Sequence, residues 1–237
     1  PPFRDCLDGR GRCNPRCGRH PRCWQYRAKF YLVRHGESTL NKKKVHQDHT
    51  PELSESGIKQ AEKIAERASH LPIQHIISST YTRAQQTAEV IKKRTNTDIE
   101  TSELFTERKK PSELSGMSYS DPKTKEILKS LFKGYQDHNH RISDAETFNE
   151  LQQRSKKALD FLEAQPYDNV LVVSHAGFIQ IIVMHILLGE FFTGKTIAHA
   201  RNMFITNTGI TVIRFDETKT EGNQWHVWTV NDHAHLG

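Results

Sequence analysis

From Val170 to Phe192 the chain is almost unbroken apolar sequence, and this run limits what the whole can become. It is long enough to suggest a membrane span, which takes about 20 apolar residues. Ser174, His175, Gly177, Gln180 and His185 interrupt it, however. A buried strand at Asn169–Val173, a turn, and a buried helix from about Phe178 fit better. The same alternation recurs upstream. Lys29–Val33 is a short apolar strand that ends at Arg34-His35-Gly36. Ile58, Ala61, Ile64, Ala65 and Ala68 repeat at helical spacing, which predicts an amphipathic helix over about 54–70. His75–Ser78 is a second strand, Tyr81 to about Arg94 a second helix, and Ile99 lies in a short third strand. A helix is expected over about 121–133. Thr147 and Glu150 form a capping box ahead of Leu151, Ala158, Leu159 and Leu162. Ile210–Phe215 and Trp225–Val230 close the chain as β-branched and aromatic strands. Strands alternating with helices predict an α/β fold: three layers, with a central, mostly parallel sheet flanked by helices.

Charge and cysteine divide the chain in one place. Residues 1–29 hold seven Arg and one Lys against Asp5 and Asp8, and so carry the whole formal charge of +6. Beyond them 26 basic residues balance 26 acidic ones. The body therefore has no global field to attract a polyanion, and nucleic acid is not an expected partner. All four cysteines (Cys6, Cys13, Cys17 and Cys23) fall in the same stretch. Their spacing lacks the Cys-x2-Cys pair usual in zinc sites. Residues 1–28 are expected to be a disordered or artefactual Arg/Gly/Pro/Cys-rich tail, with metal binding or a small disulfide knot as the alternative. Residues 29–237 form the folded domain. Nothing reads as a signal peptide or an anchor, so a cytoplasmic protein with no membrane partner is expected.

Three strand ends carry basic chemistry. In Leu32-Val33-Arg34-His35-Gly36-Glu37-Ser38, the turn sits at the carboxyl end of the first strand, where open α/β sheets bind ligands. Gly36 allows the backbone a close approach. A His held there can attack phosphorus while the neighbouring Arg neutralises phosphate oxygens. In Ser78 to Ala88, Arg83 falls near a helix N-terminus, an anion site in its own right, with a guanidinium able to grip two oxygens. In Val172-Val173-Ser174-His175-Ala176-Gly177, a second His stands at the same sheet edge, ahead of free helix N–H groups. Each residue alone would read as an ordinary polar or solvated side chain. Three in one parallel sheet point to a phosphate pocket.

In these three motifs, in Leu53-Ser54-Glu55-Ser56-Gly57 with Gln60-Ala61, and in the closing Asn231-Asp232, the chain resembles the histidine phosphatase superfamily, the phosphoglycerate mutase-like family with the Arg-His-Gly motif. The likeness runs from about Phe30 to Leu236. It implies that His35 is the phosphorylated nucleophile and that Arg34, Arg83 and His175 form the phosphate pocket. Asn41 fits the family's further phosphate contact, and Gly36, Ser38 and Ala176 lie beside these positions as substrate-binding candidates. The family's general acid is a Glu in the middle loop. Glu107 in Leu104-Phe105-Thr106-Glu107-Arg108 holds that place, with Glu113 as rival. The loop departs from the family, which often has an aromatic residue and a Gly soon after the Glu. Here Arg108-Lys109-Lys110-Pro111 follow.

Only 67 residues separate Glu107 from His175. The resemblance implies that cofactor-dependent mutases carry a longer insert there, so the expectation is a phosphatase acting on a small phosphorylated metabolite, with a phosphoprotein also open. It would need no cofactor and no metal, since no Asp/His cluster has ligand spacing. The alternatives are a mutase-type isomerase and a non-catalytic phosphate-binding module on the same fold. Lys42-Lys43-Lys44 could draw in an acidic substrate or form a plain solvated run.

Overall fold

The computed structural model describes residues 28–219 and 222–237. Strand β1 (Ala28–Arg34) leads through the short helix α1 (Thr39–Lys42) and α2 (Glu55–Ser69) to β2 (His75–Ser78), then α3 (Thr82–Thr95) and β3 (Ile99–Thr101). After a loop with two 3-10 turns come α4 (Pro122–Gly134), α5 (Phe148–Glu163), β4 (Asn169–Ser174), α6 (Ala176–Leu188), β5 (Ile210–Phe215) and β6 (Trp225–Asp232). The six strands form one sheet in the order β3-β2-β4-β1-β5-β6. The first four are parallel, and β5 and β6 run antiparallel at one edge. This is the expected three-layer α/β arrangement.

The layers follow from the period-two alternation of the central strands. Phe30 and Leu32 of β1, with Val170 and Val172 of β4, face a core built by α5 and α6. Tyr31, Val33, Leu171 and Val173 face the other way, onto Ile64, Ala65 and Ala68 of α2 and Ala84, Ala88 and Ile91 of α3. The small residues of α2 and α3 let both helices lie close to the sheet. The buried face of α2 is Gly57, Ala61, Ile64, Ala65 and Ala68. Ile58, counted in that face from its spacing, is instead 46% exposed; Gly57 takes the inward place because Gly36 and Glu37 press on it. The capping box at Thr147 and Glu150 is present. No helix among the described residues is long and apolar enough to cross a membrane.

Several boundaries shift by one or two residues, among them the start of β1, the start of α6 and the end of β6, which runs to Asp232. Ala28, assigned to the tail, opens β1, is buried and pairs with Phe215. Helix α6 starts at Ala176, two residues early, because His175 is extended and serves as its N-cap. The four cysteines and the rest of the tail lie outside the described residues.

Candidate active site

The three strands that carry the basic motifs are neighbours, since β4 lies between β2 and β1. Their carboxyl ends are tied by backbone bonds: the His35 N–H donates to Ser174 O (2.9 Å) and the Ser79 N–H to Val173 O (2.9 Å). His35, Arg83 and His175, far apart in sequence, therefore meet at one edge. The helices that leave this edge, α3 and α6, have Tyr81 and His175 at their N-caps and no side-chain cap, whereas α2, α4 and α5 are capped by Ser54, Asp121 and Thr147. The uncapped ends turn positive dipole ends toward the site.

His35 is 2% exposed. Its Nδ1 lies 2.6 Å from Gly36 O. A carbonyl can only accept, so the proton is on Nδ1 and Nε2 keeps its lone pair. Arg83 Nε donates to that Nε2 at 3.2 Å. Burial first, then Arg83, His175 and Arg34, hold the imidazole well below its ordinary value and thus neutral. Gly36 is obligatory: a Cβ there would sit 2.5 Å from Gly57 O. The Gly36 N–H donates to Thr87 Oγ1, and Asn207 Nδ2 donates to His35 O. Arg34 donates from Nη1 to Ile205 O (2.7 Å), and Arg83, 1% exposed, from Nη1 to Asp48 O (2.7 Å). The Tyr81 ring lies 5.0 Å from the Arg83 guanidinium.

His175 packs its ring 5.1 Å from that of His35. Its Nε2 pairs with Ser79 Oγ at 2.8 Å, and its buried Nδ1 has no partner. Glu107 lies at the start of α6, accepting from the Gly177 N–H (3.2 Å) and its neighbour's Arg108 N–H (2.7 Å). Burial pushes its carboxyl up, but Lys110, Arg108 and the two amides together outweigh this and hold it below the usual carboxylate value.

A cavity of about 540 Å³ opens onto Arg34, His35, Asn41, Arg83, Glu107 and Ala176. Gly36, Ser38 and the fully buried His175 lie outside its lining. Ser38 is fully buried and caps α1 with Asn41, donating also to Gln47 Oε1. Glu113 is exposed and outside the lining, as are Lys42, Lys43 and Lys44. Among the described residues no group of three or more His, Cys, Asp or Glu could hold a metal ion.

A family model of the histidine phosphatase superfamily (branch 1) matches residues 30–228. The chain belongs to this superfamily. It is 32% identical to the protein named "Probable phosphoglycerate mutase GpmB" of Salmonella arizonae, over 87% of this chain and 94% of that one. Its counterpart in Proteus mirabilis is 30% identical over the same shares. Among solved structures, Bacillus stearothermophilus YhfR superposes with a TM-score of 0.72 at 21% identity, over 89% of this chain and 100% of that one. The Entamoeba histolytica phosphoserine phosphatase mutant, solved with phosphoserine, gives 0.71 at 22%, over 88% and 99%. At such identities the structural likeness speaks for the fold.

Reading the histidine phosphatase motifs alone missed several residues around the site. Ser79 and Tyr81 stood inside a quoted motif but were assigned no role. Asn207 and Ile205, which brace the Arg34-His35-Gly36 turn, come from the loop before β5, where no local pattern marks them. His46, Arg108 and Lys110 line the cavity as well.

The buried histidines predict a pH-dependent stability. Burial, reinforced by neighbouring cations, holds His35, His175 and His185 below their ordinary value, and His46 and His235 at about 4. In the unfolded chain each takes a proton near pH 6.5. Below that pH the unfolded state binds more protons, so stability is full above about 6.5 and falls as pH drops. The Tm measured by calorimetry is expected to decline from pH 7 to pH 5, above the carboxylate range. A flat Tm there would refute the assignment.

Proposed function

We propose that the chain is a metal-independent phosphatase that hydrolyses a phosphomonoester through a phosphohistidine on His35. The observation that carries this reading is a neutral, buried imidazole whose Nε2 lone pair lies beside the Arg83 guanidinium, at a cavity shared with Arg34 and Glu107. His35 Nε2 attacks phosphorus as the ester P–O bond breaks, and Glu107, having taken the proton of the substrate monoanion, gives it to the leaving oxygen. Arg34, Arg83 and the free Nδ1 edge of His175 meet the phosphoryl oxygens, and the Asn41 amide at the rim adds a donor. Glu107, now ionised, takes a proton from water. The water oxygen bonds to phosphorus, the P–N bond breaks, and inorganic phosphate leaves. Preorganised positive charge supplies most of the acceleration.

The loop after Glu107 narrows the substrate. Five cations line the cavity: Arg34, Arg83, Arg108, Lys109 and Lys110. Lys109 pairs with Asp144 at 3.3 Å, and the lining carboxylate Asp48 is engaged by Thr50. Against Arg34, Arg83, Arg108 and Lys110 the lining sets Glu107, with Asp48 acting on Arg83 as well. Burial and the three arginines hold Lys110 at about 8 despite Glu107. Arg34 Nε, Arg108 Nε and His46 Nε2 are buried without partners. One phosphoryl group occupies two of these cations. The remaining two favour a substrate with a second anionic group near the ester.

Both points are tested with 3-phosphoglycerate and glycerol 3-phosphate, which differ in one carboxylate. Phosphate release from 3-phosphoglycerate is expected to show a kcat/KM about tenfold or more higher, the size of one charged hydrogen bond. The preference should narrow in Lys110→Met. Equal values would refute the second anionic group. Isomerisation to 2-phosphoglycerate outpacing phosphate release, with bisphosphate present, would favour the mutase reading, to which the names of the relatives point.

A further inference from the structure

The segment that carries Glu107 has no regular secondary structure from Thr106 to Lys110, yet a general acid must be aimed closely. Misplacement by about 1 Å can cost about a hundredfold. A second hollow of about 630 Å³ shares Tyr81, Glu107 and Lys109 with the first and is lined also by Leu104, Thr106, Glu146 and Arg154. The segment that carries Glu107 thus lines both cavities.

A single side chain spans the segment from behind. Arg154, on α5, donates from Nη1 to Leu104 O (3.0 Å) and Thr106 O (3.0 Å), and from Nη2 to Glu107 O (3.5 Å). Its remaining donors go to Glu146, just ahead of α5: Nε to Oε1 (2.7 Å) and Nη2 to Oε2 (2.9 Å). These bonds use all five guanidinium N–H groups. Glu146 holds the far end of the segment: its Oε2 accepts from the Lys109 N–H (2.8 Å), and its own N–H donates to Lys109 O (3.1 Å). The guanidinium carbon lies 4.0 Å from the centre of the Phe178 ring, which limits its movement. Both side chains are largely buried, at 16% and 15% exposure. The backbone is held at 104, 106, 107 and 109, on either side of the carboxylate. Ser174 Oγ adds a bond to Phe105 O (2.7 Å), which ties the same turn to β4.

We propose that Arg154 and Glu146 are positioning residues that set the reach of Glu107 toward the leaving group, touching no substrate themselves. The inference rests on Glu107 being the general acid. A lysine cannot replace the arginine, because three donors on one nitrogen cannot meet three carbonyls and two carboxylate oxygens at once.

The test compares Arg154→Met, Glu146→Gln and Glu107→Gln by burst kinetics on an alkyl phosphate and on p-nitrophenyl phosphate, with Tm recorded for each. A clasp that aims an acid matters for the poor leaving group only. Phosphorylation of His35 by the alkyl phosphate should slow about tenfold or more in Arg154→Met, and less in Glu146→Gln. The p-nitrophenyl reaction should change far less, and Arg154→Lys should restore little. If Glu107→Gln shows the leaving-group dependence and both clasp variants slow the two substrates equally, or neither, the clasp is structural and the proposal is overturned. If Glu107→Gln lacks the dependence, the acid assignment itself fails and the clasp with it. Should Arg154→Met fold poorly, Glu146→Gln decides, since it keeps the size of the side chain and an acceptor for one of the two donors.

Discussion

His35→Ala is expected to lose turnover by at least about a thousandfold, the scale set by removing a covalent nucleophile. In the parent, brief reaction with a labelled phosphomonoester and rapid quench should leave acid-labile, base-stable label on the chain. In the variant that label should vanish with the activity. The loss is one of chemistry rather than folding. Arg83 keeps its bond to Asp48 O, the Gly36 turn keeps Thr87, and the backbone bond from residue 35 to Ser174 needs no side chain. The variant should also become less sensitive to acid, because one group that resists protonation in the folded state is gone. Full activity in His35→Ala, or activity requiring a divalent metal, would end the phosphohistidine reading.

Glu107→Gln is the second large effect. An alkyl alkoxide needs a proton to leave, whereas p-nitrophenolate, with its low pKa, barely does. The variant should slow phosphorylation by alkyl phosphates about a hundredfold or more. Transfer from p-nitrophenyl phosphate should suffer far less, although dephosphorylation can then limit steady turnover. The pH dependence has a definite sign. Burial raises the carboxyl, but Lys110, Arg108 and two amides outweigh it and keep it below its ordinary value, so it is ionised at neutral pH. The proton must then come from the substrate monoanion, or from the medium when the phosphoryl charge arrives. A phosphomonoester loses its second proton near pH 6. The parent's kcat/KM for alkyl phosphates should therefore fall above about pH 6, and in Glu107→Gln this limb should flatten. The acidic limb should lie well below pH 6.5, because His35 stays neutral there. Glu113→Gln should change none of this, since Glu113 is exposed and outside the cavity. The reverse pattern in the two variants would move the acid to Glu113.

The sequence by itself determined the fold class and set the candidate site residues at strand ends. Alternation in Lys29–Val33 and Asn169–Val173 fixes two apolar faces, and two faces require helices on both sides. The basic motifs stand directly after strands, and a parallel sheet puts every such end on one edge. What remained undecided depended on groups that only tertiary packing brings together. The order β2-β4-β1 makes His35, Arg83 and His175 neighbours, and no local pattern encodes strand order. The protonation state of His35 follows from its contact with Gly36 O and from burial among cations drawn from three motifs. Motif position favours Glu107 over Glu113, but both lie in one irregular stretch, where spacing says nothing of burial. The fold sets Glu107 against the start of α6 and leaves Glu113 exposed. Arg154 and Glu146 were the least legible: within an amphipathic helix and its approach, such charges read as solvated. Only when α5 packs behind the acid segment do five donors find partners 8 to 50 residues away in sequence. Periodicity reports which face a residue takes, because that is local geometry; which groups meet across the fold is a property of the assembled layers.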